Sequence, residues 1–237
     1  MSIGQAERVP LNEPTYVRVK KAIIGDLVSG AFSPGMHLTI EALTSRYEVS
    51  HMPIREALRQ LEGEGMVVSL AHRGFKIEAI TEAYIRNIYD IRVGVESMLG
   101  RRAAENVTDE ELVTFRKLHD EFADLIRTTA GAPASLANIS FHRRLYRVAR
   151  NPEAESMLEG RTRVVRTVAD SLGGYLPEAI EDVIREHEQI IVAFENRDPI
   201  AAGEAVFDHV TAARDRLILR VRRSGAFGDQ WIDGAPG

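Results

Sequence analysis

The chain has 237 residues, 44% of them hydrophobic, and a formal net charge of −5 at pH 7. This length can hold two domains, and the composition is typical of a globular protein. The absence of cysteine excludes disulfide bonds and thiolate metal sites, and no apolar run is long enough to span a membrane. Since the N-terminus, MSIGQAERVP, also lacks the apolar core of a secretion signal, we expect a cytoplasmic protein without a membrane partner.

Helical patterns begin soon after the N-terminus. Residues 1–13 are predicted to be flexible, and a first helix is predicted from Pro14 to Ser29. A second helix is predicted from Thr39, whose hydroxyl can cap the backbone and which has Glu41 in the following turn. Only a short loop separates this second helix from the next one.

The third predicted helix has an exposed end suited to a DNA groove. Within residues 49–67, VSHMPIREALRQLEGEGMV, Ser50 can cap the helix and Pro53 falls in the first turn, where its missing N–H is harmless. Apolar residues recur at helical spacing: Ile54, Ala57, Leu58 and Leu61. Four side chains are left at the exposed N-terminal end: Ser50, His51, Met52 and Arg55. A recognition helix presents this end to base edges and phosphates.

A two-stranded wing is predicted after Gly63 and Gly65, which end the third helix. The runs 66–70 and 75–80 flank a turn whose tip carries Arg73 and Gly74. Residues 14–80 are therefore predicted to form one winged helix-turn-helix domain with a basic wing tip.

These motifs, in this order, resemble the winged helix-turn-helix of the GntR superfamily of transcription regulators. The segments that carry the resemblance are GAFSPGMHL, IREALRQLEGEGMV and HRGFKI. The resemblance implies that operator DNA is contacted by the following residues: Arg46, Ser50, His51, Met52, Arg55, Arg73 and Gly74. Many relatives carry Arg in place of His51, so we expect a different operator preference. Taken singly, Arg55 or Arg73 could equally be an exposed charge with no role in binding.

Helical periodicity dominates residues 81–223 and predicts an all-α domain. Five breaks divide it into about six helices: 107–109, 131–133, 151–152, 173–174 and 198–199. At the first break, Thr108 and Glu111 form a capping-box pattern, which is typical of a helix start. Residues 224–237, which are rich in glycine, are predicted to be a mobile tail. The predicted fold class is mainly α, with a winged helix-turn-helix followed by a helical bundle.

The net charge is divided unevenly between the two predicted domains. Residues 1–80 hold nine Lys or Arg and nine Asp or Glu, so the rest of the chain carries the whole net charge of −5. An even balance with local basic clusters gives each subunit a modest DNA footprint. We therefore expect a homodimer that binds two half-sites.

Three histidines in the helical domain are candidates for a metal site. His142 lies four residues after Asn138, so both side chains share one helical face. His187 and His209 lie on the next long helices, and an antiparallel pairing of those helices would bring them to similar heights. Three imidazoles and an amide oxygen could then bind a divalent ion. The alternative is three unrelated, partly buried histidines, since the spacing alone does not force them together.

The helical domain resembles the FCD ligand-binding domain of the FadR subfamily. The resemblance rests on IYDIRVGVESMLGRRAA, ANISFHRRLYRVARNP and REHEQIIVAFENRDPIAAGEAVFDHV. It implies that a metal is bound by four residues: Asn138, His142, His187 and His209. The first ligand is usually Asp in that family, and an uncharged Asn is expected to weaken binding and to favour zinc or nickel.

The same resemblance implies that Arg92 points into the cavity near the metal. A guanidinium beside a metal ion would bind a small carboxylate through charge-assisted hydrogen bonds. The alternative role for Arg92 is a structural salt bridge with Glu96, four residues further along the helix.

The sequence thus predicts a transcription regulator that senses a small organic acid and is not an enzyme. Repression is expected rather than activation. One alternative is a metal-dependent enzyme with an accessory DNA-binding domain, in which Glu186 or Glu188 acts as general base. Against it, the chain has no HExxH motif and no phosphate-binding glycine loop. Another alternative is a sensor that binds its effector without metal.

Overall fold

The computed structural model describes residues 13–225 except residues 34, 72, 79 and 130, with the side chains at 160, 161 and 163 also left out. The predicted flexible N-terminus and mobile tail therefore lie almost wholly outside the described residues. The chain divides into two compact units, Met1–Ala79 and Ile80–Gly237. The sequence analysis had placed this boundary between residues 80 and 81.

The N-terminal unit contains three helices and a small sheet. The helices are α1 (Thr15–Val28), α2 (Ile40–Tyr47) and α3 (His51–Gly63), and the strands are β1 (His37–Leu38), β2 (Val67–Leu70) and β3 (Gly74–Ile77). Thr39 caps α2 as predicted, accepting a hydrogen bond from the Ala42 N–H at 3.1 Å. Helices α1 and α3 pack together through the apolar stripe predicted for α3, which is fully buried.

The wing is an antiparallel sheet with the strand order β1-β3-β2. The β2–β3 hairpin confirms the predicted wing, while β1 adds a third strand that the sequence analysis did not foresee. This strand has only two residues, with His37 opposite Lys76 and Leu38 opposite Phe75, so it is too short to show an alternating pattern. Gly74 has a φ of +88°, and a Cβ there would lie 2.5 Å from the carbonyl oxygen of Leu38. Glycine is therefore required at this position for β1 to approach the hairpin.

The C-terminal unit is helical, as predicted. Its helices are α4 (Glu82–Asn106), α5 (Asp109–Thr128), α6 (Ala132–Val148), α7 (Pro152–Ser171), α8 (Ile180–Glu195) and α9 (Pro199–Ser224), with a short 3-10 helix at Pro177–Ala179. Helix α5 begins with the predicted capping box of Thr108 and Glu111. Among the described residues, no helix combines the length and the apolar character that a membrane span requires.

Helices α4 and α9 form the closest pair in the C-terminal unit. A Cβ on Gly100 of α4 would lie 2.8 Å from the Val206 side chain and 3.0 Å from the Ala202 carbonyl oxygen of α9. On the other side of the unit, the Phe115 ring lies 5.6 Å from Phe141 and 5.1 Å from Phe194, which joins α5, α6 and α8. The histidines of α6, α8 and α9 lie inside this bundle.

Candidate functional site

The N-terminal end of α3 presents the four side chains that the sequence analysis had assigned to DNA. Ser50, His51 and Arg55 are exposed, and Met52 is 74% exposed. Ser50 occupies the N-cap position but makes no side-chain cap hydrogen bond, and the first turn has no acidic residue. The free backbone N–H groups and the positive end of the helix dipole are therefore open to a phosphate.

Arg55 also lacks a partner that would hold it against the protein. Its side chain makes no hydrogen bond or ion pair with another described residue, and the same holds for the side chain of Arg59, one turn further along α3, which the sequence analysis did not single out. Two unpaired arginines on the exposed face of α3 suit contact with phosphates or guanine edges.

Arg46 is held differently from the other predicted DNA contacts. Its guanidinium binds both carboxylate oxygens of Asp26, at 2.6 and 2.8 Å, and lies 5.1 Å from the Phe32 ring centroid. The Tyr47 hydroxyl also donates to Asp26, at 2.6 Å. This arrangement ties α2 to α1, so it favours a structural role for Arg46, and a role in DNA contact stays a prediction.

At the wing tip, Arg73 is exposed, and its side chain makes no hydrogen bond or ion pair to another described residue. Gly74 is half-buried and has a structural reason for its identity, namely the close approach of Leu38. Of these two residues, only Arg73 therefore has a side chain free to contact DNA.

In the C-terminal unit, the structure brings the three predicted histidines together. His142, His187 and His209 are all buried, and each offers a ligand atom within 4.8 Å of the others. The Nε2 atoms of His142 and His209 lie 3.1 Å apart. Nitrogen ligands about 2.0–2.1 Å from a tetrahedral zinc ion lie roughly 3.3 Å from each other, so the spacing fits a shared ion.

Several nitrogen and oxygen atoms of this site that could bind a metal have no hydrogen-bond partner. Both ring nitrogens of His187 and the Nδ1 of His142 are buried and unpaired, and so is the Oδ1 of Asn138. Leaving such groups unpaired costs about 1–3 kcal/mol each, which a metal ion at the cluster would offset for the atoms that it binds. Asn138 lies one turn before His142 on α6, and both line the same cavity. The residues present therefore fit a divalent metal.

The three imidazoles are neutral, as metal ligands must be. Burial lowers the pKa of His142 to about 4, against opposing attraction from Glu96. Burial, together with repulsion from neighbouring histidines, lowers the pKa of His187 and His209 well below the ordinary value. A neutral imidazole keeps one ring nitrogen with a lone pair for an ion.

His209 is oriented by two residues that the sequence analysis did not assign to this role. Its Nδ1 lies 2.9 Å from Oε2 of Glu186, whose carboxylate is also bound by Arg216 through two hydrogen bonds of 2.6 Å. A neutral His209 donates from Nδ1 to this carboxylate, so its Nε2 lone pair faces His142. Partners of this kind hold metal-binding histidines in other proteins.

Glu96 is a further residue whose place at this site was not recognised from the sequence. It is fully buried, accepts hydrogen bonds from Arg92 Nε at 2.7 Å and from the Tyr146 hydroxyl at 2.8 Å, and lies 3.9 Å from Nδ1 of His142. The sequence had indicated Glu96 only as an alternative partner for Arg92. The salt bridge exists, yet Arg92 also lines the cavity, so the two roles do not exclude each other.

The cavity beside the histidines has a volume of about 190 Å³. Helices α4, α6, α7, α8 and α9 and the segment before α8 surround it. Its lining includes Asn138, His142, His209 and Arg92, and further arginines from α7 and α9. A cavity of this size, with converging polar groups and a metal-like donor set, is suited to a small anionic molecule.

The two glutamates proposed as general bases for an enzyme are engaged elsewhere. Glu186 is bound by His209 and Arg216. Glu188 accepts two hydrogen bonds of 2.6 Å from Arg116 and lies 3.4 Å from Nε2 of His119. Neither carboxylate is among the residues that line the cavity.

Comparison with known proteins agrees with this arrangement of a recognition helix and a helical domain with a cavity. Residues 15–77 match the gntR family of bacterial regulatory proteins, and residues 87–212 match the FCD domain. Since the FCD match alone spans more than half of the chain, the protein belongs to the GntR-family regulators that carry an FCD domain. It is therefore a DNA-binding transcription regulator with an effector domain.

Individual relatives cover most of the chain. It is 27% identical to the HTH-type transcriptional regulator YdhC of Bacillus subtilis, over 84% of this chain and 90% of YdhC. It is 26% identical to the HTH-type transcriptional repressor RspR of Escherichia coli, over 85% of this chain and 86% of RspR. Because these relatives are regulators, the enzyme alternative is set aside.

Solved structures show the same fold. The Listeria monocytogenes protein Lar has a TM-score of 0.68 at 16% identity, over 89% of this chain and 98% of Lar. McbR/YncC of E. coli has a TM-score of 0.59 at 19% identity, over 88% of this chain and 99% of that protein. These similarities confirm the predicted fold class.

Proposed function

We propose that the protein is a repressor whose affinity for operator DNA is controlled by a small organic acid bound next to a divalent metal. The cluster of three buried histidines supports this proposal most directly, because ring nitrogens of His142 and His187 are unpaired and because His142 and His209 line a cavity with Arg92. Several relatives are named as repressors, among them RspR and the gluconate operon repressor of Bacillus licheniformis.

Four residues would hold the metal: His142, His187, His209 and Asn138. The donor set is rich in imidazole and has no carboxylate of its own, which favours zinc or nickel over magnesium or calcium. Glu186 would keep the metal-facing nitrogen of His209 unprotonated, and Glu96 would contribute negative charge close to the site. A bound ion supplies a positive centre with open positions for an oxygen of the effector.

Arg92 would bind the effector carboxylate. Its Nε is used by Glu96, so its terminal nitrogens are the groups left to meet an anion in the cavity. Stacking against the Tyr89 ring, 4.4 Å from the guanidinium carbon, fixes the plane of this side chain. A preformed guanidinium loses little side-chain entropy when the acid binds.

Control of DNA binding requires a second step. We propose a homodimer that places one α3 helix in each half-site, because one exposed helix end and one wing arginine make few contacts with DNA. Effector binding then regulates the operator only if it favours one arrangement of the two recognition helices over another.

The test is the metal content of protein purified without chelator. We expect about one divalent ion per chain, measured by elemental analysis and native mass spectrometry, and its loss in His187→Ala. His119→Ala is the matched control, since His119 is also buried but stands outside the three-histidine cluster. Wild-type protein that binds no divalent ion, even after reconstitution with zinc or nickel, would contradict the metal centre and favour the metal-free sensor.

A further inference from the structure

Among the side chains that the structure describes, two arginines in the effector cavity have no carboxylate to pair with. Five of the described arginines line this cavity: Arg92, Arg143, Arg166, Arg216 and Arg220. Three of them form ion pairs, Arg92 with Glu96 at 2.7 Å, Arg143 with Glu159 at 3.2 Å and Arg216 with Glu186 at 2.6 Å. Within the described part of the chain, Arg166 and Arg220 have no carboxylate oxygen within 4.0 Å.

The contacts of these two arginines are weak or partial. Arg166 on α7 donates one hydrogen bond of 3.4 Å to the Thr162 hydroxyl, one turn earlier in the same helix. Arg220 on α9 donates one hydrogen bond to the backbone carbonyl of Ala169. A guanidinium has five N–H donors, so most of the donors of both side chains remain available.

Nearby negative charge does not fully neutralise Arg166 and Arg220. Asp170 lines the same cavity and attracts both guanidiniums, but its Oδ1 accepts a hydrogen bond from the Ser135 hydroxyl at 2.9 Å. Both arginines are half-buried, and burial lowers the pKa of each. Since arginine stays charged in proteins, the result is two partly desolvated cations. This arrangement is unfavourable unless an anion joins them.

We propose that Arg166 and Arg220 form a second anion subsite and that the effector is therefore a dianionic acid. This inference rests on the proposed function, in which the first carboxylate lies between Arg92 and the metal. The second oxyanion is a carboxylate or a phosphate, because both accept paired hydrogen bonds from guanidinium groups. A monocarboxylate held by Arg92 and the metal would leave Arg166 and Arg220 unpaired, whereas the second anionic group of a dianion can accept hydrogen bonds from them.

The experiment compares matched anions by isothermal titration calorimetry with full-length, metal-loaded protein. The probes are propionate against malonate and succinate, and glycolate against phosphoglycolate. We expect at least one dianion to bind ten-fold or more tightly than its monoanionic counterpart, since its second anionic group gains charge-assisted hydrogen bonds from Arg166 and Arg220. The pair that shows the advantage identifies the second group as carboxylate or phosphate.

Variants then assign the advantage to the two arginines. Arg166→Gln and Arg220→Gln should each remove most of the preference for the dianion, because each lowers the affinity for the dianion far more than the affinity for the monoanion. Arg127→Gln is the control, because Arg127 pairs with Glu181 on the surface and does not line the cavity. If a Gln variant fails to fold, the Lys variant carries the test, since it keeps the charge but loses the paired donors and should retain an intermediate preference.

The proposal is overturned if no dianion in the panel binds more tightly than its counterpart, or if the preference survives in both variants. Operator affinity is measured on the same samples to separate this outcome from failure of the proposed function. A dianion that binds through both arginines without changing operator affinity contradicts the proposed control of DNA binding and supports the second subsite. If monoanions and dianions bind equally tightly and their binding changes operator affinity, the second subsite is contradicted and the proposed control of DNA binding is supported.

Discussion

At the scale of single residues, the chemistry of the helical unit depends on one buried carboxylate. Glu96 is fully buried and joins Arg92, Tyr146 and the Nδ1 side of His142. It therefore neutralises the guanidinium that faces the cavity and places negative charge beside a proposed metal ligand. In the proposed effector site, Glu96 would hold Arg92 in position to bind the acid.

Replacing Glu96 by Gln keeps the shape and the acceptor for Tyr146 but leaves Arg92 without its counter-charge. Breaking a buried ion pair in this way costs about 3–5 kcal/mol of unfolding free energy. Glu181→Gln, which disrupts the exposed pair with Arg127, should cost less than about 1 kcal/mol. Urea unfolding followed by circular dichroism measures both values. Equal losses of unfolding free energy in the two variants would show that the Arg92–Glu96 pair contributes no more to stability than an exposed ion pair.

Residue roles were only partly predictable from the sequence. His142, His187 and His209 could be proposed because helical spacing and family resemblance both indicated them. Arg46 could not be distinguished from a DNA contact, because Asp26, which binds it, lies twenty residues earlier on another helix. Glu186 was seen only as a possible base, since nothing in one sequence shows that Arg216, thirty residues away, would bind it.

His51 is the residue at which DNA preference should depart from that of relatives. It is exposed at the start of α3, next to an uncapped helix end. His51→Arg should move the selected operator towards guanine at one position, with a discrimination of about 1–3 kcal/mol for a bidentate contact. Selection from random DNA, followed by sequencing, measures this change. An identical selected operator for both proteins would mean that residue 51 does not contact a base.

At the scale of secondary structure, the best-predicted elements were those with strong local signals. Helices α2 and α5 begin at the predicted threonine caps, and the β2–β3 hairpin lies where glycine and the alternating runs placed it. Strand β1 was missed because it exists only through pairing with β3, more than thirty residues away in sequence. Close helix packing was not foreseen either, because it depends on which helices meet.

The close contact between α4 and α9 predicts that a larger side chain at position 100 destabilises the helical unit. Gly100→Ala places a methyl group 2.8 Å from Val206 and should destabilise the helical unit by about 1–3 kcal/mol through overpacking. Gly94 lies on the same helix, and nothing lies within 4 Å of a Cβ placed there. Gly94→Ala should therefore stabilise the unit by about 0.4–1 kcal/mol. Thermal unfolding of both variants compares them, and a Gly100→Ala protein as stable as wild type would contradict the close approach.

At the scale of the whole molecule, stability should depend on pH through the buried histidines. Burial lowers the pKa of His119, His142, His187 and His209 below the value of about 6.5 expected in the unfolded chain. The unfolded state then binds more protons below pH 6.5, so the stabilising contribution is present above that pH and is lost as pH falls towards about 4.

Chelator-treated protein should therefore lose stability between pH 7 and pH 5, on the order of 1–2 kcal/mol from His142 alone. Urea titrations at several pH values measure the loss. His187→Gln lacks one of the titrating imidazoles and should lose less over the same range. Unfolding free energies that stay constant from pH 7 to pH 5 would show that folding does not lower the pKa of these imidazoles.

The proposed regulation couples the two units, because an anion bound at the three-histidine cluster is expected to change the affinity of α3 for DNA. The most direct measurement is fluorescence anisotropy with a selected operator, using zinc-loaded or nickel-loaded protein and the mono- and dianionic acids named above. We expect at least one acid to weaken operator binding of the wild-type protein and to have no effect on His187→Ala. If no acid changes operator affinity, or if wild type and His187→Ala respond equally, the account is contradicted.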